Sequence, residues 1–186
     1  MLDILNDMNM DIDVGSAPLV VLGLGNVLRR DEGLGIRALQ RLQERYHVPA
    51  EVALVDGGTL GLELLAHLEG AKRLLVLDAA LTDGPPGTLI RLAGEAVPAF
   101  LGMRSSPHEI GLADLLAVLR LRDVEPEEVV VLGMQPEVIE LGWELSPTVN
   151  TRLDLLVDMA VSELDRWGVV PNDHTSVAKG ATACTK

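Results

Sequence analysis

The run Val20-Val21-Leu22-Gly23-Leu24-Gly25-Asn26-Val27-Leu28-Arg29-Arg30-Asp31-Glu32-Gly33-Leu34-Gly35 constrains the fold more than any other part of the chain. Its aliphatic start reads as a buried strand, its Gly-x-Gly as a sharp turn, and the two acids as the opening of a helix. Such a unit begins an open α/β sheet, in which ligands bind beyond the carboxyl ends of the strands. A dinucleotide fingerprint would place a third glycine three positions past the second, where this chain has Leu28. A phosphate on the helix N-terminus would also meet Asp31 and Glu32. No Lys-Ser/Thr pair follows, so a P-loop is excluded. The glycines therefore present acids, and acids suit a metal, a cationic group or proton transfer.

The rest of the chain repeats the alternation of short aliphatic runs and helical patterns. Strands are predicted at Leu19–Leu22, Val52–Val55, Arg73–Leu77, Thr88–Leu92 and Val129–Leu132. Helical spacing links Gly35, Leu39, Leu42 and Tyr46, then Leu60, Leu64, Leu65 and Leu68. It returns in Leu112, Leu115, Leu116 and Leu119, and again from Val149 through Leu153, Leu156, Val157, Ala160 and Leu164 to Trp167. The link from Ala79 to Gly87 is too short for a parallel crossover, so Thr88–Leu92 should run antiparallel, as a hairpin near an edge. The fold class is α/β: one three-layer domain, with a mixed, mostly parallel twisted sheet of about five strands and helices on both faces. Residues 1–17 form an acidic extension without stable period, 18–170 the domain, and 171–186 a small, polar, flexible tail.

Charge and composition narrow the function classes. A net charge of −13 opposes nucleic acid and anionic membrane surfaces as partners. The single cysteine, Cys184, rules out an internal disulfide and fits a reducing compartment. No Lys or Arg precedes Arg29, so a secretory leader is not expected, and no apolar run is long enough to span a bilayer. Cytoplasm is the expected location and a monomer the expected state. With aromatics at 2%, the core must be Leu, Val and Ala.

The predicted strand ends supply the candidate residues. The first leads to Asp31 and Glu32, the second to Asp56-Gly57-Gly58-Thr59, and the third to Asp78-Ala79; Ser105-Ser106-Pro107-His108 stands before the third helix. Each has a structural alternative. Asp31 reads first as an N-cap, Glu32 equally as a first-turn acid favoured by the dipole, and Asp56 first as a turn residue. Asp78 leaves a buried run, where a charge needs a partner, which favours a functional part. His108 at a helix start is disposed to stay neutral, as metal ligation requires, but alone it decides nothing. Cys184 is poorly placed for a nucleophile, and neither a Gly-x-Ser-x-Gly elbow nor a His-Glu-x-x-His helix occurs. Glu32, Asp78 and His108 thus form a candidate cluster compatible with nickel, zinc or manganese, with positions left open for substrate or water.

Six motifs in order then resemble one family, the hydrogenase maturation proteases. They are Gly23-Leu24-Gly25-Asn26-Val27-Leu28 with Asp31-Glu32-Gly33; Val55-Asp56-Gly57-Gly58-Thr59; Leu77-Asp78-Ala79; Pro86-Gly87-Thr88; Ser106-Pro107-His108-Glu109-Ile110-Gly111; and Gly133-Met134-Gln135-Pro136-Glu137. The resemblance spans Leu19 to Trp167, and Leu145-Ser146-Pro147-Thr148-Val149 is similar to the uptake-hydrogenase branch. It implies a cytoplasmic endopeptidase, of aspartyl type by its carboxylates, that removes a C-terminal extension from the large-subunit precursor of a nickel–iron hydrogenase after nickel insertion. By motif, Glu32, Asp78 and His108 become the catalytic and metal-contacting residues, with Asp56 a further catalytic candidate. The nickel would come with the substrate rather than be permanently bound, and zinc or another divalent ion could occupy the site in vitro. Two alternatives stand beside this: a self-contained zinc metallohydrolase on the same residues, and a nucleotide-binding α/β module, which the acids oppose.

Overall fold

The computed structural model describes residues 17–59, 61–102 and 111–173. In chain order the elements are β1 (Leu19–Leu24), α1 (Leu34–Arg45), β2 (Tyr46–His47), β3 (Val52–Gly58), α2 (Leu65–Leu68) and β4 (Arg73–Ala79). There follow β5 (Leu89–Ala93), α3 (Ala96–Gly102), α4 (Leu112–Leu121), β6 (Glu128–Met134), α5 (Pro147–Arg166) and β7 (Asn172–Asp173). Five strands form one sheet in the order β3-β1-β4-β6-β5, parallel except for β5. This is the predicted α/β architecture.

Both sheet faces are covered, and the strand sequences follow from that. In the central strand β4, Leu74, Leu75, Val76 and Leu77 are all fully buried, so an unbroken apolar run replaces alternation. Leu19, Val21, Leu75, Leu77, Val130 and Leu132 pack with α1 and α5 on one face. Val20, Leu22, Leu74, Val76 and Val131 pack with α2, α4 and Val97 of α3 on the other. Leu and Val fill both layers; among the aromatics whose burial is described, Trp167 alone belongs to the buried core.

The predicted hairpin needs correction. β5 is antiparallel and at an edge, as expected, but its neighbour is β6 rather than β4. The link after β4 crosses the end of β6, where the Ala80 N–H donates to the Met134 carbonyl at 2.9 Å and the Gly87 N–H to the Gln135 carbonyl at 2.8 Å. Gly133 permits the crossing, since a Cβ there would lie 2.4 Å from the Ala80 Cβ. The antiparallel edge is held to α5 by charge. Arg91 donates to both oxygens of the buried Glu163, at 2.6 and 3.1 Å, and Arg166 bridges Glu163 to Glu128. Hydrogen bonding from Arg91, reinforced by Arg166 against the opposing effect of burial, holds the Glu163 carboxyl below the usual carboxylate range.

Local boundaries also shift. Tyr46 leaves the predicted first helix and starts β2, because the small pairing with β7 captures it. That pairing brings Asn172 and Asp173, expected in a flexible tail, into regular structure. The second predicted helix is only a 3-10 turn (Leu62–Leu64) running into the single turn of α2. Residues 1–16 and 174–186, with Leu60, lie outside the described residues.

The chain passes from β1 through α1 to β3, then through α2 to β4 on the other side of β1. Strand order therefore reverses between β1 and β4, and the crevice such reversals create opens beyond their carboxyl ends.

Candidate active site

The exit from β1 is built from backbone in close contact. Gly25 has φ of 122°, and a Cβ there would lie 1.8 Å from the Glu32 carbonyl oxygen, so no other residue fits. Its N–H donates to the Gly58 carbonyl at 3.1 Å, tying the end of β1 to the end of β3. Asn26 Oδ1 accepts the Leu28 N–H at 3.0 Å and turns the chain. A 3-10 turn, Arg30–Gly33, comes next, so Asp31 and Glu32 precede α1 instead of opening it. A Cβ on Gly35 would lie 2.1 Å from the Leu77 carbonyl oxygen and 2.5 Å from that of Leu24. Helix α1 thus starts in direct contact with the ends of β1 and β4, and the 3-10 turn packs beside β4. These glycines make room for backbone; they do not cradle phosphate.

Asp31 is not the N-cap its position suggests, for it makes no capping hydrogen bond. Its side chain is fully buried and accepts four hydrogen bonds from a segment more than a hundred residues away. Oδ2 accepts the Glu137 and Val138 N–H groups, each at 2.9 Å, and the Ser146 hydroxyl at 2.7 Å; Oδ1 accepts the Ser146 N–H at 2.7 Å. Ser146 is the N-cap of α5, its Oγ accepting the Val149 N–H at 3.4 Å ahead of Pro147. The Ser-Pro start of α5 is a visible sequence signal; the acid that reads it is not. Arg30 adds to the clamp from a left-handed conformation, φ 49°. Its N–H donates to the Gly142 carbonyl at 3.0 Å, and its guanidinium reaches the Glu144 carbonyl and Glu140 Oε1.

Glu32, next to this anchor, is a partly exposed carboxylate at the mouth of the crevice. Arg29 approaches its Oε2 at 2.9 Å. That oxygen is shielded from solvent and receives no hydrogen bond, so the contact is ionic without the alignment of a hydrogen bond. Asp78 is half-buried near the end of β4, level with Gly133 of β6 and on the strand face that carries Leu74 and Val76. Asp56 is exposed at the end of β3, and its Oδ1 accepts the Gly58 N–H at 3.0 Å, the turn arrangement its sequence context suggests. Since Gly23 is in register with both Asp56 and Leu77, Asp56 and Asp78 stand on the two strands flanking β1 at one sheet edge. His108 lies outside the described residues; α4, on the Leu74–Val76 face, begins four positions later at Leu112. Among the described residues no three His, Cys, Asp or Glu side chains form a metal-binding group. They contain two of the three candidate ligands.

Fold and site together define an α/β enzyme domain that offers carboxylates, in place of a phosphate cradle, where strand order reverses. A family model described as hydrogenase maturation protease matches residues 36–163. The hydrogenase expression/formation protein HoxM of Cupriavidus necator is 41% identical over 90% of this chain and 84% of its own length. The hydrogenase 2 maturation protease of Escherichia coli is 37% identical over 81% of this chain and 93% of its own. In three dimensions the hydrogenase maturating endopeptidase HybD of E. coli superposes with a TM-score of 0.80 at 35% identity, covering 85% of this chain and 98% of HybD. The chain belongs to the hydrogenase maturation protease family and is an endopeptidase of that family.

Proposed function

We propose that the protein removes the C-terminal extension of the large-subunit precursor of a nickel–iron hydrogenase after nickel has been inserted. In this reading Glu32, Asp78 and His108 contact the nickel carried by that substrate. One observation carries it: in a chain of this family, the turn bearing Glu32 is seated against β4, the strand of Asp78, at the point of strand reversal. Glu32 has one ionic neighbour and no hydrogen bond at Oε2, so its carboxylate is not saturated. One imidazole and two carboxylates cannot by themselves select nickel over commoner metals, because affinity follows ligand type and metal supply. Metal presented by the precursor supplies that selection and anchors the peptide for attack. Asp56, exposed at the same edge with its Oδ1 accepting the Gly58 N–H, is a further catalytic candidate in this reading. The reaction would take place in the cytoplasm with the protease as a monomer; no helix among the described residues is long and apolar enough to cross a membrane.

The test is incubation with nickel-loaded and nickel-free precursor. Only the loaded form should be cleaved, and neither free nickel nor zinc should replace the inserted metal. Asp78→Asn keeps shape and removes charge, so it should abolish cleavage with an unchanged melting temperature. Cleavage of an unrelated metal-free protein, or of a short peptide copying the extension, would overturn the reading. Zinc bound one-to-one in the purified protein would favour the self-contained metallohydrolase instead.

A further inference from the structure

The segment tied down by Asp31 and Arg30 presents apolar side chains to solvent. Leu141 is 86% exposed and Trp143 67%, with Ile139 and Leu28 also exposed. Leu28 joins the same surface, because its carbonyl accepts the Gly142 N–H at 2.9 Å. The chain has only four aromatic residues, two of them tryptophan, and one of those stands in water here. What holds this surface is polar: a fully buried carboxylate, a left-handed arginine, and Arg37 of α1 donating to the Trp143 carbonyl at 3.3 Å. Non-glycine residues in that conformation, and buried carboxylates, are unfavourable unless the surroundings over-determine them. They hold the backbone that carries Ile139, Leu141 and Trp143. The surface continues directly into the Arg29–Glu32 turn.

We propose that Leu28, Ile139, Leu141 and Trp143 form a preorganised docking surface for the folded body of the precursor, beside the site that receives its metal. The inference rests on the function proposed above. Exposed Trp and Leu side chains on an anchored backbone, rimmed by polar groups, are what protein-binding centres are made of. The rim carries exposed Glu137, Glu140 and Glu144, with Arg30 paired to Glu140 and Arg29 paired to Glu32, so its unpaired charge is acidic and the complementary face is apolar with basic groups at its border. A second copy of this chain, itself at −13, would bring like charge to that rim. Docking here explains how the protease would ignore short peptides: the binding energy lies outside the scissile segment.

The test measures cleavage of nickel-loaded precursor by wild type and by the double variant Leu141→Ala, Trp143→Ala. Truncating two such anchors should raise KM by roughly 10- to 30-fold, with kcat within about twofold. Leu121→Ala, equally exposed but at the far end of α4, should leave KM unchanged. In parallel, the protease labelled with 5-fluorotryptophan should show its Trp143 fluorine resonance shifting on addition of precursor while that of the buried Trp167 stays in place. Normal processing by wild type with unchanged KM in the double variant overturns the docking surface alone. Failure of wild type to process loaded precursor overturns the functional reading and the docking surface with it. A Trp143 resonance that moves with protease concentration in the absence of precursor identifies a second copy as the occupant and also overturns the proposal.

Discussion

Replacing Asp31 by alanine leaves four donors without an acceptor, and their surroundings set the size of the effect. The Glu137 and Val138 N–H groups sit in partly buried bonds that water can take over. The Ser146 N–H and hydroxyl are buried. A buried donor left unsatisfied costs about 1–3 kcal/mol, so two place the loss near ~4 kcal/mol. For a domain of this size each kcal/mol lowers the melting temperature by about 2–4 °C, which predicts a fall of about 8–16 °C. Asp31→Asn keeps the volume but loses charge assistance and turns an amide N–H toward one of the donors. Its loss should be smaller, about 2–3 kcal/mol. Calorimetry ranks the variants, and hydrogen exchange locates the damage: the Val138 and Ser146 amides should lose protection while β4 keeps its own. An alanine variant melting within about 2 °C of wild type would refute the anchor. So would Asp31→Asn that abolishes cleavage with melting and exchange unchanged, which would make Asp31 a group of the chemistry.

Gly35→Ala places a Cβ against the carbonyl oxygens of Leu77 and Leu24, and neither can retreat without parting α1 from the sheet. The overpacking should cost about 1–3 kcal/mol despite alanine's better helix propensity, and should lower precursor cleavage by displacing the Glu32 turn; a variant more stable than wild type would refute the close contact. Glu163 titrates below its unfolded value because Arg91, then Arg166, hydrogen-bond its charged form. Its contribution to stability is therefore present above the unfolded carboxylate pKa and is lost as pH falls through the lowered, folded value. Glu163→Gln should flatten the acid limb of stability against pH measured by urea unfolding, and an unchanged limb would refute the assignment.

Much of the fold was legible because its causes are local. An apolar run such as Leu74–Leu77 declares a strand buried on both faces whatever lies beside it. The heptad-like spacing of Val149, Leu153, Leu156, Val157, Ala160 and Leu164 declares the face of α5, and all six are buried. The candidate site was legible to the extent that strand ends were, which places Glu32, Asp56 and Asp78 at one edge. The length of the 80–88 link was enough to make β5 antiparallel. It could not name the neighbour of β5, because β6 enters the gap only after two further helices.

By itself, then, the sequence determined the succession of elements, the acidic character of the carboxyl edge, and, through six ordered motifs, the family. Only the tertiary structure decided that Asp31 is an anchor and Glu32 its partly exposed neighbour. The two acids are adjacent and chemically alike. One meets Glu137, Val138 and Ser146 across more than a hundred residues, and the other meets Arg29 and solvent. Periodicity is written between near neighbours in the chain. Which carboxylate loses its water is settled by packing between distant segments, whose contacts leave no periodic trace in the sequence.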